Sequence, residues 1–267
     1  VLNKAHPKMV QAITELIYSD GNAIYNLQQL VTEDVENFEW LGGIFLQDSK
    51  NIYAIDPWNI RNVHKLENMD RNSFGVVNNR FAKDRNKILI GLQEVPNIDH
   101  DSVKFFDSYF VDRNRGYFIL DNDTQLRIIN DVDIETFEDL GNYYAKDKNY
   151  AYFKGRRIIG ADAASFTMNE YGIPSDQNGA YVEGYIIVGA DASTIQKIPN
   201  SPYHKDKYSV YFQEIPLLGS DPKSFKVLKD PSSQTQKYGI DQNNFYQTYF
   251  PVGNVDVNTL EVIGNGW

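Results

Sequence analysis

Large apolar side chains recur along this chain at fixed offsets from paired aspartates. In the stretch 147–166, DKNYAYFKGRRIIGADAASF, the pair is Asp147 and Asp162, fifteen residues apart. The same spacing returns at Asp84/Asp99, Asp176/Asp191, Asp206/Asp221 and Asp241/Asp256. It is one residue shorter at Asp20/Asp34, and seven and six longer at Asp48/Asp70 and Asp112/Asp133. Three before the first aspartate stand Ile17, Phe45, Phe81, Tyr109, Tyr144, Ile173, Tyr203 and Tyr238. Five after it stand Tyr25, Tyr53, Leu89, Tyr117, Tyr152, Tyr181, Tyr211 and Tyr246. Four before the second aspartate come Leu30, Leu66, Val95, Ile129, Ile158, Ile187, Leu217 and Val252; four after it come Phe38, Phe74, Val103, Phe137, Phe166, Ile195, Phe225 and Leu260. Seven tyrosines at one offset, out of eighteen in the chain, make a chance register untenable. The sequence is a tandem array of about eight units of ~30 residues, anchored at Asp20, Asp48, Asp84, Asp112, Asp147, Asp176, Asp206 and Asp241.

The chemistry of one unit predicts its elements. Aromatic, β-prone residues flank Asp147-Lys148-Asn149, which reads as a hairpin closed by an Asx-turn. Asn lies two after the aspartate in six units, at Asn22, Asn86, Asn114, Asn149, Asn178 and Asn243, where its tolerance of left-handed backbone would ease the turn. Lys154-Gly155 separates a second short strand pair, and the chain turns again at Gly160-Ala161-Asp162. From the second aspartate, Asp-x-x-Ser/Thr recurs in seven units, from Asp70/Ser73 to Asp256/Thr259, with Asn37 replacing the hydroxyl after Asp34; this is the spacing of a capped turn. A strand after that turn, as at Phe225, is expected once more than the hairpin. His6–Ile13 resembles 221–228, and the chain ends at the same phase near Leu260–Ile263. The expected architecture is all-β: an open, solenoid-like stack of β-hairpin repeats, favoured over a closed propeller, with the aromatic columns as its continuous core.

No Pro- or Ser-rich linker interrupts the array, so 1–267 reads as a single repeat-built domain. The register lapses at 56–65, 120–124 and 230–236. A content of 42% hydrophobic residues argues against wholesale disorder. A formal charge of −10 opposes a phosphate backbone, which excludes nucleic acid as the expected partner. No apolar run reaches the roughly 18 residues of a membrane helix, so no membrane insertion is expected. The first residues, VLNKAHPKMV, lack a start methionine and a signal h-region, as in a processed or trimmed chain. The absence of cysteine removes thiol chemistry and suits an exported protein as well as a cytosolic one.

The run Asp147-Lys-Asn-Tyr-Ala-Tyr152, followed by Gly160-Ala-Asp162 and Ser165-Phe166, resembles the DKNYY family. Tyr203–Tyr211 with Gly219–Phe225 is a second good copy. The likeness is specific over roughly 140–230 and degenerate outside it, most of all in the earlier units: Asp48-Ser-Lys-Asn misplaces the asparagine, and Leu89 replaces the tyrosine after Asp84. The resemblance implies a bacterial repeat protein without an established activity, and it carries over no catalytic residues. Export to periplasm or cell surface is the expected location, ahead of the cytoplasm.

Candidate chemistry is sparse. Asp-x-Asn pairs could begin calcium loops, but the further acidic ligands of such loops are missing, and turn chemistry already explains them. The tyrosine column could be a sugar-stacking ladder, yet its apolar company predicts core, with hydroxyls reaching the rim. His6, His64, His100 and His204 show no metal-ligand spacing, and no nucleophile-elbow, phosphate-loop or dinucleotide pattern is present. No cofactor or metal is expected. Trp58 stands in an off-register insertion, where an aromatic is a contact candidate, and Asp121 and Asp123 lie in another. These three are the candidate partner-binding residues. The expectation is a non-catalytic binding protein with a protein partner, of inhibitor or immunity type. A glycan- or cell-wall-binding module is the alternative, and a hydrolase with a carboxylate site the third reading.

Overall fold

A computed structural model describes residues 17–27, 29–56, 59–78, 81–120, 125–228, 237–253 and 255–260. The described residues form strands and turns only, in eight small antiparallel sheets that follow one another along the chain at 17–32, 39–65, 75–94, 104–129, 138–157, 167–186, 196–216 and 226–252. The first sheet has three strands and the other seven have four, each in simple sequential order, and none closes into a barrel. This is the all-β hairpin-repeat array the sequence predicts. The chain divides into two compact units: Val1–Phe105 with Phe110–Arg127, and Phe106–Tyr109 with Ile128–Trp267.

The fifth sheet shows how the sequence makes a repeat. Its strands are Glu138–Gly141, Tyr144–Lys146, Ala151–Phe153 and Arg156–Arg157. Lys146 pairs Ala151 across the Asp147 turn, and Phe153 pairs Arg156 across the two-residue loop Lys154-Gly155. Both loop residues have positive φ, 48° and 71°, the type I′ geometry that matches strand twist. The expected second strand pair is therefore present, but its outer strand stops at Arg157. Ile158–Ala161 forms a separate turn with Gly160 left-handed at φ 81°.

That turn corrects one expectation. The asparagines two after the first aspartate are not left-handed. The left-handed backbone lies two before the second aspartate instead, at Asn68, Asn97, Asp131, Gly160, Gly189 and Gly219. These residue types suit the third position of a turn that demands positive φ.

The core is built mainly from the predicted columns, although Val252 in the last sheet is exposed. In the second compact unit, Tyr144, Ala151, Ile158 and Phe166 form one cluster, completed by Tyr181 from the next sheet. Ile173, Ala180, Ile187 and Ile195 are completed by Tyr211, and Tyr203, Val210, Leu217 and Phe225 by Tyr246. Each sheet thus lends its tyrosine to cover the face before it, and burying one such ring contributes about 1.5–3 kcal/mol. In the first compact unit, Phe81, Ile88, Val95, Phe110 and Tyr117 repeat the arrangement. The first repeat departs from the register: Val31 is buried and Leu30 exposed, because that repeat is one residue short and its pairing shifts between Ile24 and Tyr25. The expected additional strand at His6–Ile13 lies outside the described residues, as does 261–263.

Candidate functional site

Asp147 is buried, with 2% of its surface exposed, and is saturated with donors. The Asn149 and Tyr150 N–H groups donate to Oδ1 at 2.7 and 2.8 Å. The Tyr152 hydroxyl and the Asp133 N–H donate to Oδ2 at 2.8 and 2.9 Å. Asp133 belongs to the preceding repeat, so the carboxylate closes its own turn and clasps its neighbour. The clasp recurs from Asp70 to Asp84, Asp99 to Asp112, Asp162 to Asp176, Asp191 to Asp206 and Asp221 to Asp241, at 2.6–3.0 Å. At Asp48 the Thr32 hydroxyl takes that place at 2.7 Å, and donors hold the Asp48 carboxyl down at about 2 against its burial.

A second clasp runs the other way. Lys148 N–H donates to the Thr136 hydroxyl at 3.0 Å, and the equivalent bond joins Arg85 to Ser73, Arg113 to Ser102, Gln177 to Ser165, Lys207 to Thr194 and Gln242 to Ser224. Where the residue after the first aspartate is basic, at Arg85, Arg113, Lys148 and Lys207, its side chain also pairs with the second aspartate of the preceding repeat. Asp-Lys-Asn-Tyr is therefore a joint between repeats. The tyrosine hydroxyls turn inward to the aspartates rather than to the rim, from Tyr25 through Tyr246, and burial pushes Tyr117 up to about 12.

Two features are left over once the joints are accounted for. The first is a row of turns, Ile158–Ala161, Ile187–Ala190 and Leu217–Ser220, each closed by a bond from its fourth N–H to its first carbonyl. Their second residues are aliphatic and point into solvent: Ile159 is 91% exposed, Val188 61% and Leu218 83%. In the other repeats that position is Glu67, Pro96, Asn130 or Gly253, and in the first, out-of-register repeat it is the buried Val31. Each turn abuts the next repeat, through Asn178 Nδ2 to the Gly160 carbonyl, the Tyr211 hydroxyl to that of Gly189, and Asn244 Nδ2 to that of Gly219. Tyr208, also exposed, flanks the row where Ser209 and Ser220 meet.

The second is a cleft of about 350 Å³ in the second compact unit, where hairpin loops of the fifth, sixth and seventh sheets converge. The fifth sheet contributes Tyr143, Phe153 and Lys154, the sixth Glu183, and the seventh Lys197, His204 and Gln213. Tyr143 is left-handed at φ 66°, a conformation costly for a bulky residue, and is held by bonds to its carbonyl from Lys154 N–H and the Tyr109 hydroxyl. His204 is 5% exposed; its Nδ1 is buried without a hydrogen-bond partner. Burial first, and the Lys197 charge second, lower its pKa to about 4.

Trp58, Asp121, Asp123 and the 230–236 loop all lie outside the described residues. The row and the cleft lie within the regular register, whereas the contact candidates read from the sequence lie at its breaks. The signal for the row was an aliphatic residue directly before a turn glycine in three consecutive repeats. No three His, Asp or Glu side chains converge to hold a metal among the described residues, and no helix there is long and apolar enough to cross a membrane.

The fold and its joints define a tandem β-meander repeat protein in which aspartates clasp successive sheets. The model of the DKNYY family matches residues 45–185 and 203–266, and the chain belongs to that family. No curated protein and no solved structure matches it.

Proposed function

We propose that the chain is a non-catalytic binding protein that engages a protein partner through the row Ile159, Val188 and Leu218. The observation that carries this reading is the row itself: three aliphatic side chains are held in water at one repeat position, in turns where polar residues or proline serve equally well. Consecutive repeats space such contacts along an extended edge, the usual way repeat arrays engage a partner. A net charge of −10 favours a partner with a basic rim and speeds their encounter. An inhibitor or immunity protein is the concrete form of this reading.

The test is affinity capture with the immobilised chain, compared with an Ile159→Glu/Val188→Glu/Leu218→Glu variant whose melting temperature is checked in parallel. The expected result is a protein captured by the parent chain and lost with the triple variant at unchanged melting temperature. Equal capture by both, or a glycan ligand with no protein partner, would overturn it.

A further inference from the structure

We propose that the cleft around His204 binds a small ring compound bearing a carboxylate, the chemistry shared by sugar acids and aromatic acids. This goes beyond the protein-binding reading and does not depend on it, because the cleft and the exposed row use different residues.

Size and shape are the first argument. A cleft of about 350 Å³ is within the range of small-molecule sites, and hairpin loops from three sheets converge on it. Tyr143 and Phe153 line it, with the Lys154 ammonium held over both rings at 5.1 and 5.6 Å from their centres, so aromatic and cationic surface stand side by side in its wall.

Charge decides the sign of the ligand. In a chain of net charge −10, the lining carries Lys154 and Lys197 against Glu183. Lys197 is exposed and makes no ion pair among the described residues, and it stands directly across the strand pair from His204. Burial keeps the imidazole neutral, so it adds hydrogen-bonding capacity without charge. A carboxylate meeting Lys197 would gain a charge-assisted bond at the mouth of an apolar site.

The third argument is that the site is built at a cost. A buried ring nitrogen with no partner carries a penalty of about 1–3 kcal/mol, and the left-handed Tyr143 adds to it. The imidazole takes no part in the clasps, and Tyr143 is the second residue of the two-residue loop Asn142-Tyr143, with its carbonyl accepting the Tyr109 hydroxyl. A polar atom buried without a partner in the wall of a cleft is a group that a ligand can satisfy.

The test is NMR titration of the full chain with glucuronate, benzoate and uncharged methyl glucoside, followed at the amides of residues 143, 197 and 204. One of the two acids is expected to shift these signals, identifying the source of the ring, with methyl glucoside about tenfold weaker or absent. Lys197→Met, an exposed change, is expected to weaken the acid about tenfold or more without altering the melting temperature. His204→Phe, which replaces the imidazole with a slightly larger flat ring that cannot hydrogen-bond, is expected to weaken it as well. Silence from both acids overturns the proposal, as does unchanged affinity in Lys197→Met. Either failure leaves the exposed row untouched, since that surface is read by protein capture.

Discussion

Tyr152 donates a 2.8 Å hydrogen bond to Asp147 on the same oxygen that accepts the N–H of Asp133 from the preceding repeat. One carboxylate therefore holds a core ring, a turn and a neighbour. Removing it in Asp147→Ala leaves four donors without their acceptor, and the expected loss is about 3–5 kcal/mol. Tyr152→Phe removes a single charge-assisted bond, for about 1.5–3 kcal/mol. Urea unfolding measures both. A loss below 1 kcal/mol for Asp147→Ala would show that the clasp does not hold the repeats together.

Lys148 separates the two kinds of contact at the same joint. Its side chain pairs with Asp133 at the surface, where it is 60% exposed, while its backbone N–H is held by Thr136. Lys148→Met removes only a screened surface pair and is expected to cost less than about 1 kcal/mol. Its loss in urea unfolding should fall well below that of Asp147→Ala and shrink further on adding salt.

His204 gives the fold a pH dependence whose sign follows from its depressed pKa. The unfolded chain takes up a proton near 6.5, while the folded chain refuses it until about 4. Between those values the unfolded state binds more protons, so the stability present above the upper value is lost as pH falls through the window. The loss levels off at about 3 kcal/mol near the lower value. Asp48, held at about 2, acts in the same direction but at lower pH. Thermal unfolding from pH 8 to 4 should show this decline, and His204→Phe should flatten it. An equal decline in the variant would assign it to other groups.

The array was legible because each repeat restates its neighbour: one tyrosine is ambiguous, but seven at one offset fix a column. What the sequence could not show is direction. Nothing local says that the Tyr152 hydroxyl turns inward to Asp147, or that Asp147 reaches back fourteen residues to Asp133. Those bonds join residues of different repeats and exist only once the sheets are placed. The left-handed position was misassigned for the opposite reason: Asn149 has the right propensity, but Asp147 draws its N–H into an ordinary turn, and the left-handed residue lies in the separate turn at Gly160. His204 looked like an ordinary repeat position, and its missing partner is visible only in three dimensions.

Gly239 tests the packing of the eighth sheet directly. It lies in the strand Tyr238–Ile240, pairs with Val227 and Tyr246, and faces the Phe225 ring so closely that an added Cβ would overlap ring atoms. Phe225 cannot withdraw freely, because Tyr203 and Tyr246 pack against it. Gly239→Ala is therefore expected to destabilise the protein by about 1–3 kcal/mol, despite the better strand propensity of alanine. Gly75 is the control: it also lies in a strand, without left-handed backbone, and a Cβ there meets nothing within 4 Å. Gly75→Ala should be neutral or slightly stabilising, through a less flexible unfolded chain. Thermal unfolding of the two variants side by side decides the matter, and equal melting temperatures would refute the packing assigned to Phe225.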